Sequence, residues 1–203
     1  PRVHMAFITV CGFDSADERL AQWAQVRSGR LGDTVGGHAT VETRYDPTLP
    51  RVADHHVSFF QVHVPGEIEG GWKQHRDELA DRVVERWARS APNIDAANIV
   101  VRTAETPLDI ETRLPNMVRG SIKHGDYNSL QMGVFRPHES CVGGRTPIDG
   151  LYLCGASSYP GGLVTGGPGY IAATSVAEDL DVDRWWTTPD NIRRYHETYL
   201  SDQ

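Results

Sequence analysis

The stretch Leu151–Gly162, LYLCGASSYPGG, decides how this chain is read. Four mostly apolar residues run into Gly-Ala-Ser-Ser, then Tyr-Pro, then a glycine pair. Leu151–Leu153 has the composition of a short buried strand, entered through the turn formers Pro147-Ile148-Asp149-Gly150. Downstream, Ile171–Leu180 has helical composition, with small residues suited to close packing on a sheet. The segment between them is glycine-rich, and glycine lets another group approach the backbone closely. A helix N-terminus there offers unpaired N–H groups and partial positive charge. Two readings follow from the residues alone. One is a cradle for a phosphate-bearing or electron-accepting cofactor, and the other is a structural turn that packs a helix on a sheet.

Outward from this stretch, composition sets the class. The chain has 203 residues, 39% hydrophobic, with a formal net charge of −7. That suits a folded protein with one sizeable core or two small ones. The acidic balance with dispersed Lys and Arg argues against a nucleic-acid partner. No apolar run reaches the roughly 18 to 20 residues of a membrane span. Cys11, Cys141 and Cys154 follow no metal or disulfide spacing and suit a reducing, cytoplasmic compartment. The first residue is Pro, which fits either methionine removal or a cut within a longer chain.

Local signals give an α/β class. Val3–Val10 and Val57–Val64 read as strands, with a short third at Ile99–Val101. Ser15 and Glu18 fit a capping box opening a helix whose Leu20, Trp23 and Ala24 share a face. Arg30–Gly37 reads as a loop and Tyr45–Pro50 as an extended connector. Leu79, Val83 and Trp87 lie on one face of a long helix after Gly70-Gly71. Thr106-Pro107 and Thr188-Pro189 open two further helices, the last running through Ile192, Tyr195 and Tyr199. Asn116–Gly144 carries few regular signals.

The fuller stretch TPIDGLYLCGASSYPGGLVTGGPGYIAA, Thr146–Ala173, resembles the C-terminal signature of the phytoene-desaturase-like FAD oxidoreductases. LPRVADHHVSFFQVHVP (Leu49–Pro65), AETPLDIE (Ala104–Glu111) and GSIKHGDYNSLQMGVFRP (Gly120–Pro137) resemble other segments of that family in the same order. The resemblance implies FAD as cofactor. Gly155 and Ala156 would lie near its ribityl and pyrophosphate part, and Gly162, Leu163, Val164 and Thr165 near the pyrimidine edge of the ring. It also implies a substrate-domain sheet over residues 1–140, a C-terminal FAD-binding segment over 141–182 holding the final strand and helix of a Rossmann-like domain, and a terminal helix over 183–203. Tyr159 stands where the family often has His, and Leu163 where a third Gly is common, so Tyr159 is the candidate side chain facing substrate. No G-x-G-x-x-G unit is present to clamp the ADP half. The expectation is therefore one half or subunit of a flavoenzyme. It would work with an FAD-carrying N-terminal half or subunit, and pass hydride from a largely apolar organic substrate to flavin N5. The alternative is a non-catalytic subunit that keeps the fold.

Other constellations are weaker. His55 and His63 share a strand face but are eight residues apart, too far for one metal. His124 and Asp126 read either as an acid–base pair or as a plain loop histidine and its neighbour. Arg136-Pro137 reads as structural, with a flavin or carboxylate contact as the other use. Trp185-Trp186 is expected to pack with the terminal helix. Ser157-Ser158 lacks a nucleophile-elbow context.

Overall fold

A computed structural model describes residues 8–51, 55–162 and 166–199, and these form two compact units, Pro1–Ser121 and Ile122–Gln203. Helices and a small antiparallel sheet make a mixed α/β protein.

In the first unit, β1 (Ile8–Cys11), β2 (Gly37–Thr40) and β3 (Phe59–Val62) form one antiparallel sheet in that order. Residues 3–7 of the expected first strand lie outside the described ones. β2 is a strand within and beyond what the sequence reads as a loop and its exit. Its glycine and small residues are tolerated because both of its edges are paired, with Val10 opposite His38 and His38 opposite Gln61. The alternation places Thr9, Cys11, Ala39, Phe60 and Val62 on one face. That face is covered: Phe60 meets Trp87 of α2 (Trp72–Ala88) at 5.2 Å between ring centroids. Leu79 and Trp72 of α2 form the core with Val35, and Leu31, Val62, Val64, Ile68 and Val83 pack around them. Ile8, Val10 and Phe59 lie on the opposite sheet face and are exposed. Thr40, His38 and Gln61 share that face, so its exposed apolar side chains are interleaved with polar ones.

α1 (Ala16–Arg27) begins as expected, with the Ser15 side chain accepting from the Glu18 amide. The Glu18 carboxylate reaches back to the Asp14 amide, one residue earlier than a standard box. Its inward face is not the apolar one. Leu20 is 65% and Trp23 47% exposed, whereas Gln22 is buried. The Gln22 amide accepts from the Gly36 N–H at 3.3 Å and donates to Gly36 O at 3.2 Å and His63 O at 3.4 Å. It thereby replaces the strand partner that Gly36 lacks. Arg86 fastens α2 to the start of α1, donating to Gly12 O at 2.9 Å and to Asp14 and Glu18 at 2.9 and 3.1 Å.

Ile99–Val101 is not a strand; Val100 and Val101 are exposed in an irregular segment. α3 (Pro107–Arg113) carries a full capping box between Thr106 and Asp109. The Thr106 hydroxyl and amide hold the Asp109 carboxyl below its usual range.

The second unit is built on α4 (Gly167–Asp179) and ends in α5 (Asp190–Tyr199). Arg145 staples α4 to the preceding loop, contacting Asp179 at 2.9 Å, Glu178 at 3.1 Å and Ser175 Oγ at 3.0 Å. Tyr152 donates to Asp179 at 2.8 Å. These bonds, Arg145 first, hold the Asp179 carboxyl below its usual range. The ring contacts of the tryptophan pair among the described residues are with each other and with α4. Trp186 lies edge-on to Tyr170 of α4, and Trp185 is 90% exposed.

Candidate functional site

Leu151–Leu153 is extended but is neither buried nor part of a sheet among the described residues. Leu151 is 44% exposed, and the only pairing is an isolated antiparallel bridge between Tyr152 and Arg145, extended by Leu153 N–H donating to Gly144 O at 2.7 Å. The Thr146 hydroxyl shapes the turn before it, donating to Leu151 O at 2.9 Å and accepting from the Ile148 amide at 3.1 Å. The chain then enters two successive turns. Ser158 N–H donates to Gly155 O at 3.1 Å and Gly161 N–H to Ser158 O at 2.7 Å. Two amides of the glycine stretch are therefore used within the chain.

Gly155 adopts φ +85°, which only glycine takes readily, and is exposed at the turn entrance. Ala156 is half-buried, Gly162 is buried and Tyr159 is exposed. Leu163, Val164 and Thr165 lie outside the described residues.

The segment before the turn holds it in place. Arg136 is 4% exposed, and its guanidinium donates to the carbonyls of Ala156 (2.6 Å), His124 (3.1 Å), Gln131 (3.2 Å), Asp126 (3.4 Å) and Lys123. Its five N–H donors are spent on backbone, so it serves the turn rather than a carboxylate. Tyr127 donates to Gly162 O at 2.8 Å. The Arg136 guanidinium carbon lies 4.9 Å and Lys123 Nζ 4.6 Å from the centroid of that ring. Among the described residues neither cation forms an ion pair.

His124 and Asp126 are not paired. His124 Nδ1 bonds Ser157 Oγ at 3.0 Å, while the Asp126 carboxylate accepts from the Tyr127 amide and the Asn128 side chain, each at 2.8 Å. His124 has φ +50°, a region unusual for a side-chain-bearing residue. Ser158 is buried, and its hydroxyl has no partner among the described residues. Sequence reasoning missed Lys123 and Tyr127 as parts of this site. Contacts to main-chain carbonyls leave no spacing signature, so no sequence signal marked them.

Three glycines here are not explained by packing within the chain. A Cβ at Gly155, Gly166 or Gly169 would meet no atom of the described residues within 4 Å. Gly155 and Gly166 need glycine for their positive φ; Gly169, inside the first turn of α4, does not. Gly162 differs, because a Cβ there would fall 2.9 Å from Ile122 O. All three are exposed, so the backbone at Gly155, Gly166 and Gly169 is open to solvent, as it is at Gly71, Gly133 and Gly150. Among the described residues no three potential metal ligands come together, and no helix is long and apolar enough to cross a membrane.

Comparison with known proteins agrees with an oxidoreductase setting. The chain is 38% identical over 198 residues to one of the subunits of limonene dehydrogenase from Castellaniella defragrans, a match covering 95% of this chain and 36% of that protein. It is 35% identical over 143 residues to pyridine nucleotide-disulfide oxidoreductase domain-containing protein 2 of Mus musculus and to that of Rattus norvegicus. These matches cover 69% of this chain and 24% of each relative. The chain thus spans about a third or less of the length of the curated relatives it matches. No family model matches, and no solved structure does. Over 95% of its length this chain is related to part of a dehydrogenase subunit, and over 69% to part of proteins named for an oxidoreductase domain.

Proposed function

We propose that this chain is the C-terminal, cofactor-facing part of an FAD-dependent oxidoreductase that dehydrogenates a largely apolar organic substrate. The observation that carries this reading is Gly169. Glycine in a helix is less stable than alanine by up to about 1 kcal/mol. Here neither backbone angle nor packing within the described residues requires it. Gly169 is exposed in the first turn of α4, which leaves that backbone open to a flat group lying against it. The family resemblance of Thr146–Ala173 supports a flavin as that group, and the relative named for limonene, an apolar hydrocarbon, supports the substrate class.

FAD, when bound, would accept the hydride. This chain's residues would have three tasks. Gly155, Ala156 and Gly162, with Leu163, Val164 and Thr165, would present backbone to it, within a segment spanning 141–182. The start of α4 would stabilise negative charge developing on the ring. Tyr159, exposed at the turn, would wall the substrate side or donate its hydroxyl there.

The ADP clamp would come from the rest of a longer polypeptide or from a partner subunit in the cytoplasm. The open face of Ile8, Val10 and Phe59 and the exposed Leu151 support a chain completed by further protein. A non-catalytic subunit with the same fold is the second reading. It is favoured by the departures at Tyr159 and Leu163 from the family pattern.

Gly169→Ala in the assembled protein separates the two. If flavin lies there, the variant loses bound flavin, read as absorbance near 450 nm per protein, while remaining at least as stable as wild type stripped of its flavin. A wild type that purifies colourless and takes up no FAD would refute the flavin reading. So would a Gly169→Ala variant with full flavin content.

A further inference from the structure

We infer that Lys123 and Arg136, placed against the Tyr127 ring, form a positively charged support that makes the Gly155–Gly162 turn an acceptor of negative charge. The inference rests on the flavin reading above; it adds Lys123 and Tyr127 to it and joins them to Arg136, which the sequence reads as structural or as a flavin or carboxylate contact.

Three observations meet in these residues. First, Arg136 is almost wholly buried, yet its partners are carbonyl oxygens rather than a carboxylate. Carbonyl dipoles satisfy its donors but do not cancel its charge, so a full positive charge remains inside the fold. Second, the Lys123 ammonium contacts the same ring and likewise forms no ion pair among the described residues. Two unneutralised cations on one ring stand out in a chain of net charge −7. Third, both are tied to the turn. Arg136 donates to Ala156 O, and Tyr127 donates to Gly162 O. The ring therefore links the two charges to the two ends of the glycine stretch.

The device has a rigid part and a tunable part. Arg136 is the positioning residue, because its fork fixes the carbonyls of both segments. Lys123 is half-buried; Arg136 holds its carbonyl, but its ammonium takes part in none of those hydrogen bonds and so supplies charge without carrying the turn. A charge several ångströms from an anion in a partly desolvated site changes an equilibrium about tenfold or more.

Two negative groups of FAD fit this chemistry: the pyrophosphate, charged throughout, and the ring, which gains negative charge on reduction. The test measures FAD affinity and the two-electron midpoint potential of the assembled enzyme, in wild type, Lys123→Gln and Lys123→Arg. If the charge serves the pyrophosphate, Lys123→Gln weakens binding of oxidised FAD about tenfold and leaves the potential in place. If it serves the ring, affinity for oxidised FAD holds and the potential becomes more negative. Either result supports the inference when Lys123→Arg restores the wild-type value. A Lys123→Gln enzyme unchanged in both measurements overturns it while leaving the flavin reading intact. A wild type that binds no FAD overturns both. Arg136→Lys keeps the charge but loses the fork, and it should loosen the turn, read as faster amide exchange at Ser158 and Gly161. If exchange there is unchanged, Arg136 has no positioning role.

Discussion

Replacing Gln22 with Leu should destabilise the first unit more than any truncation on the apolar side of α1. Leu has nearly the volume of Gln, so the change isolates the hydrogen bonds from cavity formation. Gln22 makes three contacts to main chain, two of them with Gly36, which is buried and out of reach of water. Each net bond contributes about 1 kcal/mol, and a buried N–H or C=O left unpaired adds a penalty of similar size. The third contact, at 3.4 Å, is at the long edge of the range and adds little. The sum is about 4 kcal/mol, or roughly a 15 °C fall in melting temperature for a unit of this size. Leu20→Ala, at a position 65% exposed, should cost well under 1 kcal/mol. Urea unfolding followed by tryptophan fluorescence gives both values, and amide exchange at Gly36 gives a local readout. If Leu20→Ala costs more than Gln22→Leu, the inward face of α1 has been assigned wrongly.

Further outcomes are expected at the site and at the surfaces. Tyr159→Phe should lower turnover about tenfold with flavin content unchanged, since one lost hydrogen bond of about 1.4 kcal/mol is worth that factor; unchanged turnover would reduce Tyr159 to a wall of the cavity. Phe59→Glu should change the stability of the chain by less than about 1 kcal/mol, because the ring is exposed, yet weaken assembly with the rest of the enzyme in size-exclusion chromatography. Unaltered assembly would show that the open sheet face is not covered by that partner. The carboxyl of Asp179 is held low by Arg145 and then Tyr152, so its contribution to stability is fully present above about pH 4, the unfolded value, and fades as pH falls through its lower folded value. Melting curves should therefore show no Asp179-dependent change from pH 7 to 5, and Asp179→Asn should flatten the acid limb below pH 4.

What the sequence disclosed depended on which physical signal each residue carries. Thr106 with Asp109 and Ser15 with Glu18 were legible because a cap is a local contract between residues three apart. The face of α1 was not, because hydrophobic periodicity assumes that the buried side is the apolar side. Gln22 reverses that by serving a strand edge from a distant segment, and Leu20 and Trp23 are left outside. β2 escaped notice for a related reason: Gly37-His38-Ala39-Thr40 has little strand propensity of its own and is extended because it lies between two partners. Ile99–Val101 failed in the other direction, having strand composition with no neighbour to pair with among the described residues. At the candidate site the glycine turn was legible from composition and Arg136 as a structural residue, whereas Tyr127 and Lys123 act through a carbonyl and a ring contact that only folding brings about.

The remaining features share one logic. Gly169 forgoes helix stability for space that no described part of the chain fills. Arg136 and Lys123 hold charge that no described carboxylate neutralises, and burial of the former is unfavourable by several kcal/mol before its carbonyl bonds are counted. Ile8, Val10 and Phe59 leave apolar surface in water on a sheet whose other face is well covered. A domain stable by only about 5 to 15 kcal/mol does not carry three such deficits for its own folding. Each is relieved by something of opposite character: a flat bulky group against glycine, negative charge near the cations, an apolar surface on the sheet. The proposed flavin would meet the first two at once, being broad, planar and anionic at its phosphates and, when reduced, at its ring. The third is a separate requirement, carried by a sheet in the first unit. The sheet therefore calls for a protein surface or an apolar substrate, and a chain matching 36% of a longer dehydrogenase component leaves ample polypeptide to supply the former.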